Sequence, residues 1–121
     1  MIMFDNLFLL LWLLFLKHWY IDFVNQNEEE VKCKGIYGNW IGLGHSIKHG
    51  VATVIIFGYF VWDFEVAVIA GFLDFFIHYH VDYVKMKWGN RDIKTPAFWA
   101  QLGLDQLAHY TTYLALVWLV V

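Results

Sequence analysis

The sequence predicts an all-α fold: an integral membrane four-helix bundle with up-down-up-down topology, one domain over residues 1–121. Three observations predict it. The chain is 60% hydrophobic and 21% aromatic with 16% charged residues, and its mean hydropathy is +0.51, too apolar for an ordinary soluble protein. Its apolar residues fall into four stretches of roughly 22 residues, close to the ~20 that cross the hydrocarbon at ~1.5 Å per residue. No stretch shows a period of two. A soluble bundle needs polar outer faces, and residues 7–16 and 114–121 supply none.

The first helix is expected over about 3–24. It reads as a retained membrane helix rather than a signal peptide, because Asp5 precedes the apolar run and neither a basic leader nor a small-residue cleavage site frames it. Residues 25–40 form the longest loop. There Glu28, Glu29 and Glu30 read as solvated, and Lys32 and Lys34 as topology signals. The glycines at 35, 38, 42 and 44 permit turns but make no phosphate loop, since no GK[ST] follows. The second and third helices, about 41–62 and 66–88, are separated only by Asp63, Phe64 and Glu65, which predicts a tight antiparallel hairpin. The fourth helix is expected over about 97–121, with Pro96 suited to its first turn. Cys33 is the only cysteine, so an internal disulfide is excluded and a cysteine-based zinc site is disfavoured. The net charge of −3 gives no reason to expect a nucleic-acid partner.

Within these apolar stretches, potential metal ligands recur four positions apart: His18/Asp22, His45/His49, His78/Asp82 and Asp105/His109. Residues four apart lie one above the other on a helix face, so each pair can aim both side chains at one point. In an alternating bundle the four pairs fall in the same half of the membrane, and the opposite half carries almost no ionisable group. Four helices that each bring such a pair to a shared interior build a one- or two-metal site. Ionisable residues inside a membrane are costly and read first as functional. All eight basic residues (Lys17, Lys32, Lys34, Lys48, Lys85, Lys87, Arg91 and Lys94) lie on the side of the pairs. The positive-inside rule therefore places the site and both long loops in the cytoplasm and both chain ends outside, in an inner (cytoplasmic) membrane.

Imidazole and carboxylate donors without thiolates suit Zn, Mn or Fe. Eight candidate ligands suit one or two divalent ions, with room for water and substrate. Gln26, Gln101 and Gln106 lie near the pairs and are expected to orient ligands from outside. Asp74, one turn from His78, is a candidate general base. Lys85 and Lys48 are candidates for holding an anionic group. His80, two residues from His78, points away and reads as an interfacial or core residue.

The strings HWYIDFVNQ (18–26), GHSIKH (44–49), IHYHVDYVK (77–85) and LDQLAH (104–109) resemble a family of small bacterial and phage membrane proteins of unknown function. That family shows HxxxDxxxQ, HxxxH, DYxK and DQxxH in this order. The resemblance covers nearly the whole chain, and His18, Asp22, Gln26, His45, His49, Asp82, Lys85, Asp105, Gln106 and His109 match its pattern. It implies no activity. A looser likeness is to inner-membrane metal-dependent hydrolases. Membrane di-iron enzymes are similar in using HxxxH, but this chain lacks their HxxHH boxes.

The sequence thus reads as a membrane-embedded, metal-dependent hydrolase acting on a phosphoester or similar anionic bond, in a small substrate or a lipid headgroup. Two other classes stay open. One is a di-iron membrane oxidoreductase, which iron spectroscopy and oxygen dependence would separate. The other is a non-enzymatic membrane protein handling ions or protons or binding a partner, in which ligand-to-alanine variants would keep function. Substrate, metal identity and oligomeric state are left open.

Overall fold

The computed structural model of the chain describes residue 2 and residues 4–121, and every described element is helical. α1 (Phe4–Trp19) runs directly into a π-helical turn (Tyr20–Val24). α2 (Glu28–Cys33) is short. α3 (Trp40–Val61), α4 (Phe64–Trp88) and α5 (Pro96–Trp118) are long. The expected start of the first helix at Met3 lies outside the described residues.

Local chemistry sets the boundaries. Asn25 N–H donates to the Tyr20 carbonyl at 2.8 Å, a bond across five residues that defines the π turn. Asn27 then opens α2 with a capping box: Glu30 N–H donates to Asn27 Oδ1 at 2.8 Å and Asn27 N–H donates to Glu30 Oε2 at 3.2 Å. The expected loop over 25–40 therefore contains a helix, and Glu30, expected to be solvated, is buried. Between α3 and α4, Trp62 adopts a left-handed conformation at φ 56°, and Asp63 Oδ1 accepts from Val66 N–H at 3.2 Å. α4 thus starts at Phe64 rather than at 66. Thr95 caps α5, with Pro96 at its first position, and the helix ends at Trp118, short of 121.

α1 packs on α3 and α5, and α4 packs on α3 and α5. The α3–α4 pair is the closest, and glycine makes it so. A Cβ at Gly50 would stand 2.8 Å from the Gly71 carbonyl oxygen, and one at Gly71 would stand 2.7 Å from that of Gly50. Gly42 does the same for α2, since a Cβ there would lie 2.9 Å from the Cys33 carbonyl oxygen.

The interior has two storeys. One is apolar: Leu10, Leu14, Phe57, Ala67, Ala70, Tyr113, Leu116 and Val117. The other is polar, and among the described residues more buried side chains are polar or charged than apolar. The outside is the reverse, with large apolar side chains such as Trp12, Ile55, Tyr59, Phe72, Leu107 and Leu114 exposed. Two segments, Asn6–Val24 and Phe64–Trp88, are long and apolar enough to cross a membrane by length and composition, with mean hydropathy 1.7 and 1.4.

Candidate metal centre

Four segments build the polar storey. The last turn of α1 supplies His18, and the π turn supplies Asp22. α3 supplies His45 and His49, α4 supplies His78 and Asp82, and α5 supplies Asp105 and His109. All eight are buried; His45 and His49 are 0% exposed, and the most exposed, Asp22, is 8%. The structure brings the eight expected ligands together in three overlapping groups. They are Asp22 with His45, His49 and His78; His18 with His78 and His109; and Asp82 with Asp105 and His109.

The same ring nitrogen converges from each histidine. Asp22 Oδ1 lies 2.8 Å from His49 Nε2, 2.9 Å from His45 Nε2 and 3.6 Å from His78 Nε2. Asp22 Oδ2 lies 3.4 Å from His18 Nε2. On the other flank Asp82 lies 3.1 Å from both His78 Nε2 and His109 Nε2, and Asp105 Oδ1 lies 3.3 Å from His109 Nε2. His78 is the middle of the cluster. Its ring stacks on His49 at 3.6 Å and on His109 at 4.1 Å between centroids.

Lysines divide the carboxylates into two kinds. Lys34 Nζ sits 3.0 Å from Asp82 Oδ2, Lys85 Nζ 3.0 Å from Asp105 Oδ2 and Lys17 Nζ 2.6 Å from Asp74 Oδ2. Lys48 pairs with Glu30. Asp22 alone among these carboxylates has only histidines as ion-pair partners. A buried carboxylate without a cation is expensive, so Asp22 and the imidazoles around it are where a cation is most needed. Several buried atoms here also lack a hydrogen-bond partner: both nitrogens of His78, His45 Nδ1 and Asp105 Oδ1. Each such atom costs about 1–3 kcal/mol when left unmet. Coordination by a divalent ion would satisfy His78 Nε2 together with the neighbouring donors, so the residues present fit such an ion. The N/O donor set suits Zn, Mn or Fe.

The other expected residues fall in different places. Gln106 lies at the centre: its amide donates to Asp105 Oδ2 at 3.0 Å, and its Oε1 is 2.8 Å from His18 Nε2. Gln26 donates to the Asp22 carbonyl at 2.8 Å, supporting the π turn. Gln101 is turned away, accepting from Asn90 N–H at 2.6 Å. Asp74 reaches the cluster only through Lys17, which also lies 3.0 Å from His49 Nδ1, and Asp74 Oδ2 accepts from Thr53 Oγ1 at 2.5 Å. Lys48 does not join Lys85; it is half-exposed and donates to Asn25 and Glu30. His80 faces Tyr37, 3.0 Å from its hydroxyl, outside the cluster.

Four residues that touch the cluster escaped the sequence reading. Lys34 and Glu30, expected at the surface, are buried as α2 folds over the cluster. Lys17 bridges α3 and α4. Tyr113 Oη is hydrogen bonded to His18 Nδ1 at 2.9 Å. Burial pushes the Glu30 carboxyl up, and hydrogen bonds from Lys48 and Asn27 outweigh it, holding the group below its ordinary range. A signal for the α2 pair existed: Glu30 and Lys34 are four apart, the same spacing as the ligand pairs.

Residues 10–121 match a protein-family model described as "Protein of unknown function (DUF3307)". No curated protein and no solved structure matches the chain.

Proposed function

The chain belongs to the DUF3307 family, whose function is unknown, and we propose that it is a membrane-embedded, metal-dependent hydrolase of phosphoesters with one resident divalent ion. The observation that carries this is Asp22. It is a buried carboxylate faced by four converging histidine Nε2 atoms, three of them on Oδ1, with no lysine on it, while the neighbouring Asp82 and Asp105 each hold an ammonium group. Asp22, His45, His49 and His78 would hold the ion. Lys34 and Lys85 act as tethered cations where a second ion would otherwise sit, which favours this reading over a di-iron centre.

When bound, such an ion supplies a Lewis acid and a water of lowered pKa. The chain's own groups do the rest. Lys17, anchored by Asp74, whose carboxylate Thr53 holds in turn, fixes the His49 ring. Tyr113 and Gln106 fix His18. Lys85, a quarter exposed at its side chain, receives the anionic group of the substrate. The pair Asp105/His109 lies beside it, placed to carry a proton. In the reaction the water oxygen forms a new P–O bond, the ester P–O bond breaks, and the water proton ends on the leaving oxygen. The exposed apolar belt supports a bilayer around all four long helices, and the one-sided basic residues support a cytoplasmic site.

Elemental analysis of detergent-purified protein tests this. Wild type is expected to carry about one equivalent of metal, lost in Asp22→Asn and His49→Ala. Asp105→Ala is expected to keep the metal but to lose hydrolysis of bis(p-nitrophenyl) phosphate. Metal lost equally from Asp105→Ala would mean an ion shared across both groups. Wild type that cannot be loaded with any divalent metal would overturn the reading.

A further inference from the structure

A cavity of about 510 Å³ lies between α4 and α5, within the range of roughly 300–1,000 Å³ typical of ligand sites. Its walls are apolar: Val81 and Val84 on α4, Leu104 and Ala108 on α5. Val84 and Leu104 are themselves exposed on the outer face of their helices, so the cavity opens sideways. In the membrane reading, sideways means toward the acyl chains.

Its inner end is polar. Lys85 and Asp105 line it. Asp105 is 5% exposed, and its Oδ1 is buried without a hydrogen-bond partner, 3.3 Å from His109 Nε2. The cavity therefore joins the outer apolar face to the cluster. The charge at this end of α4 is also one-sided. The end of α4 and the loop after it carry Lys85, Lys87, Arg91 and Lys94, against one exposed carboxylate, Asp92.

We infer that the substrate is an anionic phospholipid. An acyl chain lies between α4 and α5, and the phosphate is drawn to Lys85, beside the Asp105/His109 pair. A wholly water-soluble phosphoester would leave these apolar walls without a partner. The inference rests on the proposed hydrolase reading and deepens it. Apolar walls give affinity without selecting a headgroup, and Lys85 supplies the headgroup preference.

The test uses full-length, metal-loaded protein in detergent, with dioleoyl phosphatidylglycerol or dioleoyl phosphatidylcholine added and bound lipid read by native mass spectrometry. Wild type is expected to retain phosphatidylglycerol at least tenfold better than phosphatidylcholine. Ala108→Trp and Val81→Trp, which fill the cavity, are expected to lose that retention while keeping wild-type metal content, which reports an intact centre. A phosphatidylglycerol carrying a diazirine on its acyl chain should label wild-type peptides over 80–89 and 101–108, a result that needs no variant. Equal retention of the two lipids, retention in both tryptophan variants, or labelling elsewhere would overturn the inference. Lipid held without any bound metal would overturn the hydrolase reading and leave the lipid site standing. Metal held without lipid would do the opposite.

Discussion

Lys34 shows what a single buried charge can decide. Its ammonium lies 3.0 Å from Asp82 Oδ2, only 5% exposed, at a point where a second metal ion would find its carboxylate. A tethered cation loses less entropy on pairing than a free ion does, so it competes with one for this carboxylate. Replacing it with an apolar isostere should reverse this. Lys34→Met is expected to raise bound metal from about one equivalent toward two, measured by elemental analysis after dialysis against trace metal. An unchanged single equivalent would mean that Lys34 does not guard a second site. The eight clustered histidines and aspartates were legible in the sequence because such residues are conspicuous inside apolar helices. Lys34 and Glu30 were not, because in a polar loop a charged residue looks the same whether it meets water or a buried partner. Lys17 was hidden differently: its position at a helix end also fits a topology signal.

At the scale of elements, the long helices were readable to within a few residues, since length and hydropathy fix them. α2 was missed because three consecutive glutamates suggest solvation, although Asn27 followed by Glu30 is a capping box in the sequence. The π turn was not legible at all; its register depends on where Asp22 must point, which the other helices decide. α2 matters because it carries Glu30 and Lys34 over the cluster and places Cys33, the one thiol, on the same segment. Asn27→Ala removes the cap, at a cost of about 1 kcal/mol, or roughly a fivefold shift in the opening of α2. Alkylation of Cys33 is expected to quicken by about that factor, and an unchanged rate would mean α2 is held by its buried ion pairs alone. The glycine contact between α3 and α4 is a second test. Gly50→Ala places a methyl 2.8 Å from a backbone oxygen, so the helices must separate. Overpacking of this kind costs about 1–3 kcal/mol, expected as a lower unfolding midpoint in detergent, and a wild-type midpoint would show that the pair has slack.

At the scale of the whole molecule, the two storeys are held together by different forces. The apolar storey of Leu10, Leu14, Phe57, Ala67 and Leu116 packs by contact alone. The polar storey gathers Asp22 from the π turn after α1, His45 and His49 from α3 and His78 from α4, groups that one coordinated ion would cross-link. Such an ion binds the folded state and not the separated helices, so at a concentration ~100 times its Kd it stabilises by about 2.7 kcal/mol. That stabilisation should be local, because only one end of each helix carries ligands. Chelation is expected to speed hydrogen exchange in the amides around residues 18–24, 45–50 and 78–82. Around 10–14, 55–60 and 113–117 it should leave protection unchanged. Asp22→Asn should show the fast pattern already and respond little to chelator. Were exchange to rise evenly along all four helices, the metal would be a requirement of the whole fold. Were it not to change anywhere, the ligands would form a polar network that needs no ion, and the hydrolase reading would lose its premise.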